Sequence, residues 1–275
     1  MKRPLAAGTG ISLPRISDWV DNFGSYRHQV TDAKIERWLR QFASRDQDLA
    51  ARLLDVIDFV GHTQMSQLFR QMLGAIPGWN RNPKQRHGRW RFAPYSTSAG
   101  QSGDAMIHSF RLANNLDGKV NDELFIRPRD LLSEQLQADD TVVLIDDFSG
   151  TGQQVCESWE RPLQELLPSE PRSFIMLLAA SAAARQRIID QTPLRPIIGF
   201  QLNHADNIFH AACTHFSKAE KNVLLQYCRK ASGRNPGGFG DCGFVVVFAH
   251  RCPNNSIPIF HKKGRNWSGL FPRHD

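Results

Sequence analysis

Three stretches in the N-terminal third of the chain repeat apolar residues at three- and four-residue spacing. Ile35, Trp38, Leu39 and Phe42 form the first, and Leu49, Leu53, Leu54, Ile57 and Val60 the second. Met65, Leu68, Phe69 and Met72 form the third. This spacing puts each set on one face of an α-helix, so helices are expected from Ile16 to about Ile76. Gly8, Gly10 and Pro14 predict a loose arm over residues 1–14, and Gly74–His87 reads as a polar loop. Beyond that loop the pattern changes. The apolar run Val142–Ile145 suits a central strand buried on both faces of a parallel sheet; Trp90–Tyr95 reads as a short strand, Phe174–Ala179 as the next buried strand and Ile197–Leu202 as a further one. Leu124–Ile126 is expected as one more strand. Helical patterns lie between the runs. Val155, Trp159, Leu163, Leu166 and Leu167 share a face, with Pro162 inside the helix, where it must kink or restart it. Ala182–Ile189 is a short helix ended by Thr192-Pro193.

Strands alternating with helices predict an α/β fold around a central, mainly parallel sheet with right-handed crossovers. An N-terminal helical layer and a C-terminal accessory segment complete the expected architecture. The C-terminal quarter differs in character. Ser217 suits the N-cap of a helix over Lys218 to about Lys230, with Glu220 placed to complete a capping box. Gly233–Gly243 is too rich in glycine for regular structure, Phe244–Phe248 is an apolar strand, and His250–Pro258 is a rigid polar turn. The expected division is a helical region over 1–80 and an α/β domain with its extension over 81–275.

Candidate chemistry concentrates where Val142–Ile145 runs into Asp146 and Asp147, then Phe148, Ser149, Gly150, Thr151, Gly152 and Gln153. Ligands of parallel sheets bind at the carboxyl ends of the strands. Ribose hydroxyls are donors that want carboxylate acceptors, and a phosphate wants N–H and hydroxyl donors on small residues that let it approach. A strand ending in two aspartates also suits a Walker B segment. That reading needs a Gly-Lys-Ser/Thr loop, but the sole Gly-Lys pair, Gly118-Lys119, is followed by Val120. A second strand–loop–helix unit follows Trp90–Tyr95, with Ser98, Gly100, Ser102 and Gly103 in the loop.

The 275 residues carry a net charge of +7, with basic clusters at Arg81–Arg91 and Arg251–Arg273 that suit polyanionic ligands or nucleic acid. The five cysteines, Cys156, Cys213, Cys228, Cys242 and Cys252, are odd in number and spread out, which argues against a disulfide framework. No apolar run is long enough for a membrane span and the N-terminus lacks a secretory core, so a cytoplasmic protein with no membrane partner is expected. His204, His210, Cys213 and His215 lie close in sequence, but their spacing matches no common zinc finger. No Gly-x-Ser-x-Gly elbow is present.

The apolar strand, acidic pair and Thr-Gly loop resemble the signature of type I phosphoribosyltransferases. The resemblance implies a phosphoribosyl diphosphate site. Asp146 and Asp147 would hold the ribose diol, Phe148–Gln153 the 5′-phosphate, and Ser98, Gly100, Ser102 and Gly103 the pyrophosphate. Mg2+ would be the cofactor, held through the ligand and by Asp146 and Asp147. Gly240-Asp241-Cys242-Gly243, Pro253-Asn254-Asn255 and Leu270-Phe271-Pro272-Arg273 resemble, more narrowly, a divergent branch found in bacterial conflict and anti-phage systems, some retron effectors among them. That branch implies Asn254 and Asn255 as site-lining residues, and a nucleoprotein partner (a reverse transcriptase with its nucleic acid) or a DNA-binding subunit. The expected function is thus a phosphoribosyltransferase-like defence effector binding a ribose phosphate. The alternative is a non-catalytic nucleotide-sensing module of the same fold, held in a nucleoprotein complex. Gln153 departs from the family pattern, which has a smaller residue after the loop.

Overall fold

A computed structural model describes residues 13–95, 102–167 and 171–273. In chain order its elements are α1 (Leu13–Phe23), α2 (Asp32–Leu39), α3 (Gln47–Asp55), β1 (Asp58–Val60), α4 (His62–Ala75), β2 (Trp90–Pro94) and α5 (Ser102–Ala113). There follow β3 (Thr141–Ser149), α6 (Gln153–Ser158), α7 (Gln164–Leu166), β4 (Arg172–Ser181), α8 (Ala182–Gln191) and β5 (Arg195–Leu202). The last are α9 (Lys218–Ala231), β6 (Val246–Phe248), α10 (Pro258–His261), β7 (Lys263–Gly264) and β8 (Trp267–Ser268). They pack as two compact units. A terminal unit joins residues 1–62 to 203–275, and a middle unit is continuous over 63–202.

The middle unit is the α/β part. Its sheet has the order β2-β3-β4-β5 with every pairing parallel. β3 and β4 are interior strands, and Val142–Ile145 and Phe174–Ala180 are fully buried, as their unbroken apolar runs require. Side chains alternate across a strand. Val142 and Leu144 share a core with Ala93, Tyr95, Val155, Leu163 and Ile188. Phe92, one position out of step with Ala93, meets Phe110 and Phe125, and Phe69 of α4 packs edge-on against Phe110. Leu124–Ile126, expected as a strand, contributes a single parallel bridge, Phe92↔Phe125. Pro162 falls in a π-helical turn, Trp159–Leu163, that separates α6 from α7. A proline brings no N–H, and the wider turn accommodates the missing ladder bond. A Cβ at Gly199 of β5 would lie 2.6 Å from the Leu178 carbonyl oxygen, so only glycine fits that close approach.

The terminal unit is built from both ends of the sequence. The first two helical stripes bury Trp38, Leu39, Phe42, Leu53 and Leu54 against Leu224, Phe260, Trp267 and Phe271. Indole and phenol groups pin the two segments together. Trp38 Nε1 and Trp267 Nε1 both donate to the Ile259 carbonyl at 2.9 Å, and Tyr26 Oη donates to the Pro272 carbonyl at 2.7 Å. The helical pattern expected through Val60 is broken at Asp58–Val60, where β1 pairs in parallel with β6. Ser217 and Glu220 form the expected capping box on α9. The two units adjoin in sequence at His62–Thr63 and Leu202–Asn203. The stripes of α2 and α3 find their apolar partners in the C-terminal quarter, whereas the α4 stripe packs within the middle unit.

No helix among the described residues is long and apolar enough to cross a membrane.

Candidate functional site

β3 runs straight through the acidic pair to Ser149, so Asp146 and Asp147 are strand residues. Adjacent strand positions face opposite sides of a sheet. Asp146 therefore shares its side with Leu144 and is buried, and Asp147 is half-buried on the other side. The Asp146 Oδ1 accepts the Asp147 backbone N–H at 2.9 Å. Tyr95, at the end of β2, lies on the Asp146 side. Burial pushes its phenol well above the ordinary value, and the neighbouring Cys156 and Asp146 add to the shift. The neutral Tyr95 hydroxyl donates to the Val155 carbonyl in the first turn of α6, and its backbone N–H donates to the Ile145 carbonyl at 2.9 Å. One residue thus ties the neighbouring strand to the acidic strand and to the helix that follows.

The turn after β3 is compact. Ser149, Gly150 and Gly152 are buried, while Thr151 and Gln153 are half-buried. Gly152 is the N-cap of α6 at φ 72, ψ −11, a left-handed conformation that glycine adopts without penalty. A Cβ there would also lie 3.0 Å from the Ala184 carbonyl oxygen, so α8 leaves no room for a side chain. Ser181, at the end of β4, fixes the same turn. Its hydroxyl donates to the Gly150 carbonyl at 2.7 Å and accepts the Ala184 N–H at 2.8 Å as the N-cap of α8. The Thr151 hydroxyl oxygen accepts the Gln153 N–H at 3.3 Å, which leaves its proton to donate. The Gln153 amide is turned along the helix to Glu157 at 2.7 Å, so its size does not fill the turn. Cys156, one turn further, is held as a thiol by burial against the opposing pull of Arg187.

Asp146, Asp147, Phe148 and Ser149–Gln153 are therefore brought together in one strand–turn–helix unit. Ser98 and Gly100 lie outside the described residues. Ser102 and Gly103 open α5, which packs on β3, and Gly103 is buried. Asn254 and Asn255 belong to the terminal unit. Asn254 is exposed; Asn255 is buried, and its amide donates to the Phe239 carbonyl at 2.9 Å and the Cys242 sulfur at 3.4 Å. That side chain staples the glycine-rich loop to the Pro253–Ser256 turn. Tyr95 and Ser181 are the supporting residues that sequence reasoning missed. Ser181 was detectable as an N-cap residue between an apolar strand and an alanine-rich helix; nothing local marked Tyr95.

The basic cluster at 81–91 is largely committed to holding the middle unit together. Arg89 contacts Asp140 through Nε at 3.1 Å and Nη2 at 2.8 Å, and it also reaches the Glu134 and Gln135 carbonyls. Arg91 pairs with Glu134 at 2.7 Å, Arg86 stacks on Trp79, and Arg81 donates to the Asn114 carbonyl. In the histidine-rich segment, His204 and His210 stack with centroids 4.6 Å apart, and His210 Nδ1 accepts the Ala212 N–H. No group of three His, Cys, Asp or Glu side chains that could hold a metal occurs among the described residues.

Among curated proteins no match is found. The solved structure of the AQ2163 protein from Aquifex aeolicus aligns with 70% of this chain and 86% of its own, at 12% identity and a TM-score of 0.33. The PRTase-CE family model matches residues 35–273, which takes in β3, its acidic pair and the turn after it together with most of both units. By that match the chain belongs to PRTase-CE, a phosphoribosyltransferase-like family.

Proposed function

We propose that this phosphoribosyltransferase-like protein binds phosphoribosyl diphosphate, or a closely related ribose phosphate, at the carboxyl end of β3. One observation carries the reading: an interior parallel strand delivers two carboxylates into a buried turn that is held from behind by Ser181 and Ala184. Such a turn keeps its shape when a ligand arrives, so little ordering cost is subtracted from binding. Asp147, the more accessible carboxylate, accepts from the ribose hydroxyls. Asp146 is set back beside Tyr95 and contributes negative charge under the sugar. Thr151 and Ser149 offer hydroxyls, and the turn its backbone N–H groups, to the 5′-phosphate.

Magnesium suits the hard oxygen donors of Asp146 and Asp147. Asp147, the more accessible of the two, would hold it together with the ligand's own oxygens, and it would neutralise charge on the pyrophosphate. The chain's own contribution to transfer is electrostatic. Fixed carboxylates favour the positive charge that develops at the anomeric carbon as the bond to pyrophosphate stretches. The anti-phage effector role rests on the resemblance of the Gly240–Gly243 and Pro253–Asn255 segments to the defence-associated branch. Survival of cells expressing the intact protein under phage challenge, against an Asp147→Asn control, tests it.

Titration calorimetry with phosphoribosyl diphosphate and Mg2+ tests the site. The intact protein binds with micromolar affinity, and Asp147→Asn loses at least tenfold while its melting temperature stays within a few degrees. Pyrophosphate release then separates transfer from sensing: binding without release identifies the non-catalytic module. Equal affinity in the intact protein and the variant removes the site.

A further inference from the structure

The chain's surplus positive charge is confined to the unit that lacks the β3 site. The terminal unit holds 19 Lys and Arg against 12 Asp and Glu, and the middle unit holds 15 against 15, so the whole net charge of +7 belongs to the former. A sugar-phosphate ligand at β3 does not account for that surplus.

Part of the excess lines a cavity of about 140 Å3 between α2 and the β7–β8 hairpin. Lys34 and Arg37 reach it from one face of α2, Lys263 from β7, and no carboxylate lines it. All three cations are exposed, and none of them pairs with a carboxylate among the described residues, whereas Arg40, just past the end of the same helix, is taken up by Glu36 at 2.9 Å. The walls are fixed. Gln41 brackets Ser268 with two hydrogen bonds, its Nε2 donating to the carbonyl at 2.8 Å and its Oε1 accepting the N–H at 2.7 Å. Lys262 and Arg265, both exposed, extend the positive surface along the hairpin beyond the cavity. The exposed cations run on past the cavity along the hairpin, which suits a ligand carrying phosphates in series.

We infer that the α2 and β7–β8 face of the terminal unit binds the phosphodiester backbone of a nucleic acid, with Lys34, Arg37 and Lys263 each contacting a backbone phosphate. The recognition is electrostatic and therefore indifferent to base sequence. It stands independently of the β3 reading, because it involves none of that site's residues.

Fluorescence anisotropy with labelled 20-nucleotide single-stranded RNA and DNA, across a sodium chloride series, tests the assignment on the full chain. The intact protein binds, and affinity falls steeply with salt. The triple variant Lys34→Gln, Arg37→Gln, Lys263→Gln binds at least tenfold more weakly, with a log–log salt slope shallower by about 2, since each single-strand phosphate contact contributes about 0.7. A control removes the same charge from exposed positions of the middle unit, Lys119→Gln, Arg127→Gln, Arg129→Gln, and stays within twofold of the intact protein. Melting curves establish that both variants are folded; if the first is not, the single Arg37→Gln change is read instead, with a slope change of about 0.7. The assignment is overturned if the intact protein does not bind at about 0.1 M salt, or if the control loses as much as the triple variant. It is equally overturned if pyrophosphate near 1 mM displaces the oligonucleotide, which would make the cavity a small-anion site.

Discussion

The Ser181 hydroxyl sits between two loops, giving its proton to the Gly150 carbonyl at 2.7 Å and taking the Ala184 N–H at 2.8 Å. The turn after β3 and the start of α8 are thereby locked through one oxygen atom. Replacing Ser181 by alanine removes a helix cap, at about 1 kcal/mol, and strips a buried carbonyl of its donor, at about 1–3 kcal/mol. The expected result is a melting temperature lower by several degrees and weaker binding of ribose 5-phosphate by calorimetry. Ser181→Thr keeps the hydroxyl and recovers most of both. Unchanged ligand affinity in a destabilised Ser181→Ala protein would show that the turn holds its shape unaided.

Gly152 combines a left-handed backbone with a wall behind it. Gly152→Ala places a methyl group 3.0 Å from the Ala184 carbonyl at φ 72. Left-handed backbone costs about 1–2 kcal/mol for a residue with a Cβ, and the contact adds to it. Denaturant midpoints should fall accordingly, and ligand binding should be lost even where the protein remains folded. Gly74, in α4, has nothing within 4 Å of the point where a methyl group would sit, so Gly74→Ala is the matched change that should be neutral or stabilising.

Asp140 anchors the 81–91 segment. Burial alone would raise its pKa, but the N–H groups of Gln137 and Arg89 and the Arg89 guanidinium hold the carboxyl below the usual value of 3.8. A depressed carboxyl stabilises the fold above the unfolded value and loses that contribution as pH falls through the folded one. Asp140→Asn should therefore cost about 1–3 kcal/mol at neutral pH. The gap to the intact protein should narrow below about pH 3.8, which urea midpoints from acid to neutral pH would register. A gap that stays constant with pH would mean that the charge contributes nothing.

His261 behaves in the opposite chemical sense with the same slope. Burial, and then the positive charges of Arg273 and Lys262, lower its pKa from 6.5 to about 3, and its Nδ1 lies 3.8 Å from the Cys252 sulfur. Between those two pH values the unfolded chain binds a proton that the folded chain refuses. Stability is therefore full above about pH 6.5 and falls on acidification by up to about 1.4 kcal/mol per pH unit. In His261→Gln the slope between about pH 5 and 6.5, where few carboxylates titrate, should flatten. An unaltered slope would show that the imidazole takes up its proton in the native state.

The middle unit was legible because its signals are local. Val142–Ile145 and Phe174–Ala179 are uninterrupted apolar runs, and such runs have few homes other than interior parallel strands. The acidic pair followed at once from the position of the strand end. The terminal unit was legible only in pieces. The stripe containing Trp38 and Phe42 announces a buried face, but nothing within it says that the covering surface comes from Ile259 and Trp267, near the far end of the chain. β1 escaped notice because Asp58–Val60 continues a helical spacing, and its strand character comes from pairing with β6. In the same way, clustered arginines read as a binding surface until Asp140 and Glu134 are seen facing Arg89 and Arg91.

The interleaving of N- and C-terminal segments also dictates a timetable. Residues 63–202 are contiguous, so the sheet around β3 can close while the ribosome is still making the remainder. Trp38 and Tyr26 must wait for Ile259 and Pro272 to emerge, and until then their aromatic faces lie open to chaperones or to other nascent chains. Assembly of the terminal unit thus waits on residues 259–272, and a pause in translation ahead of them prolongs its most aggregation-prone interval.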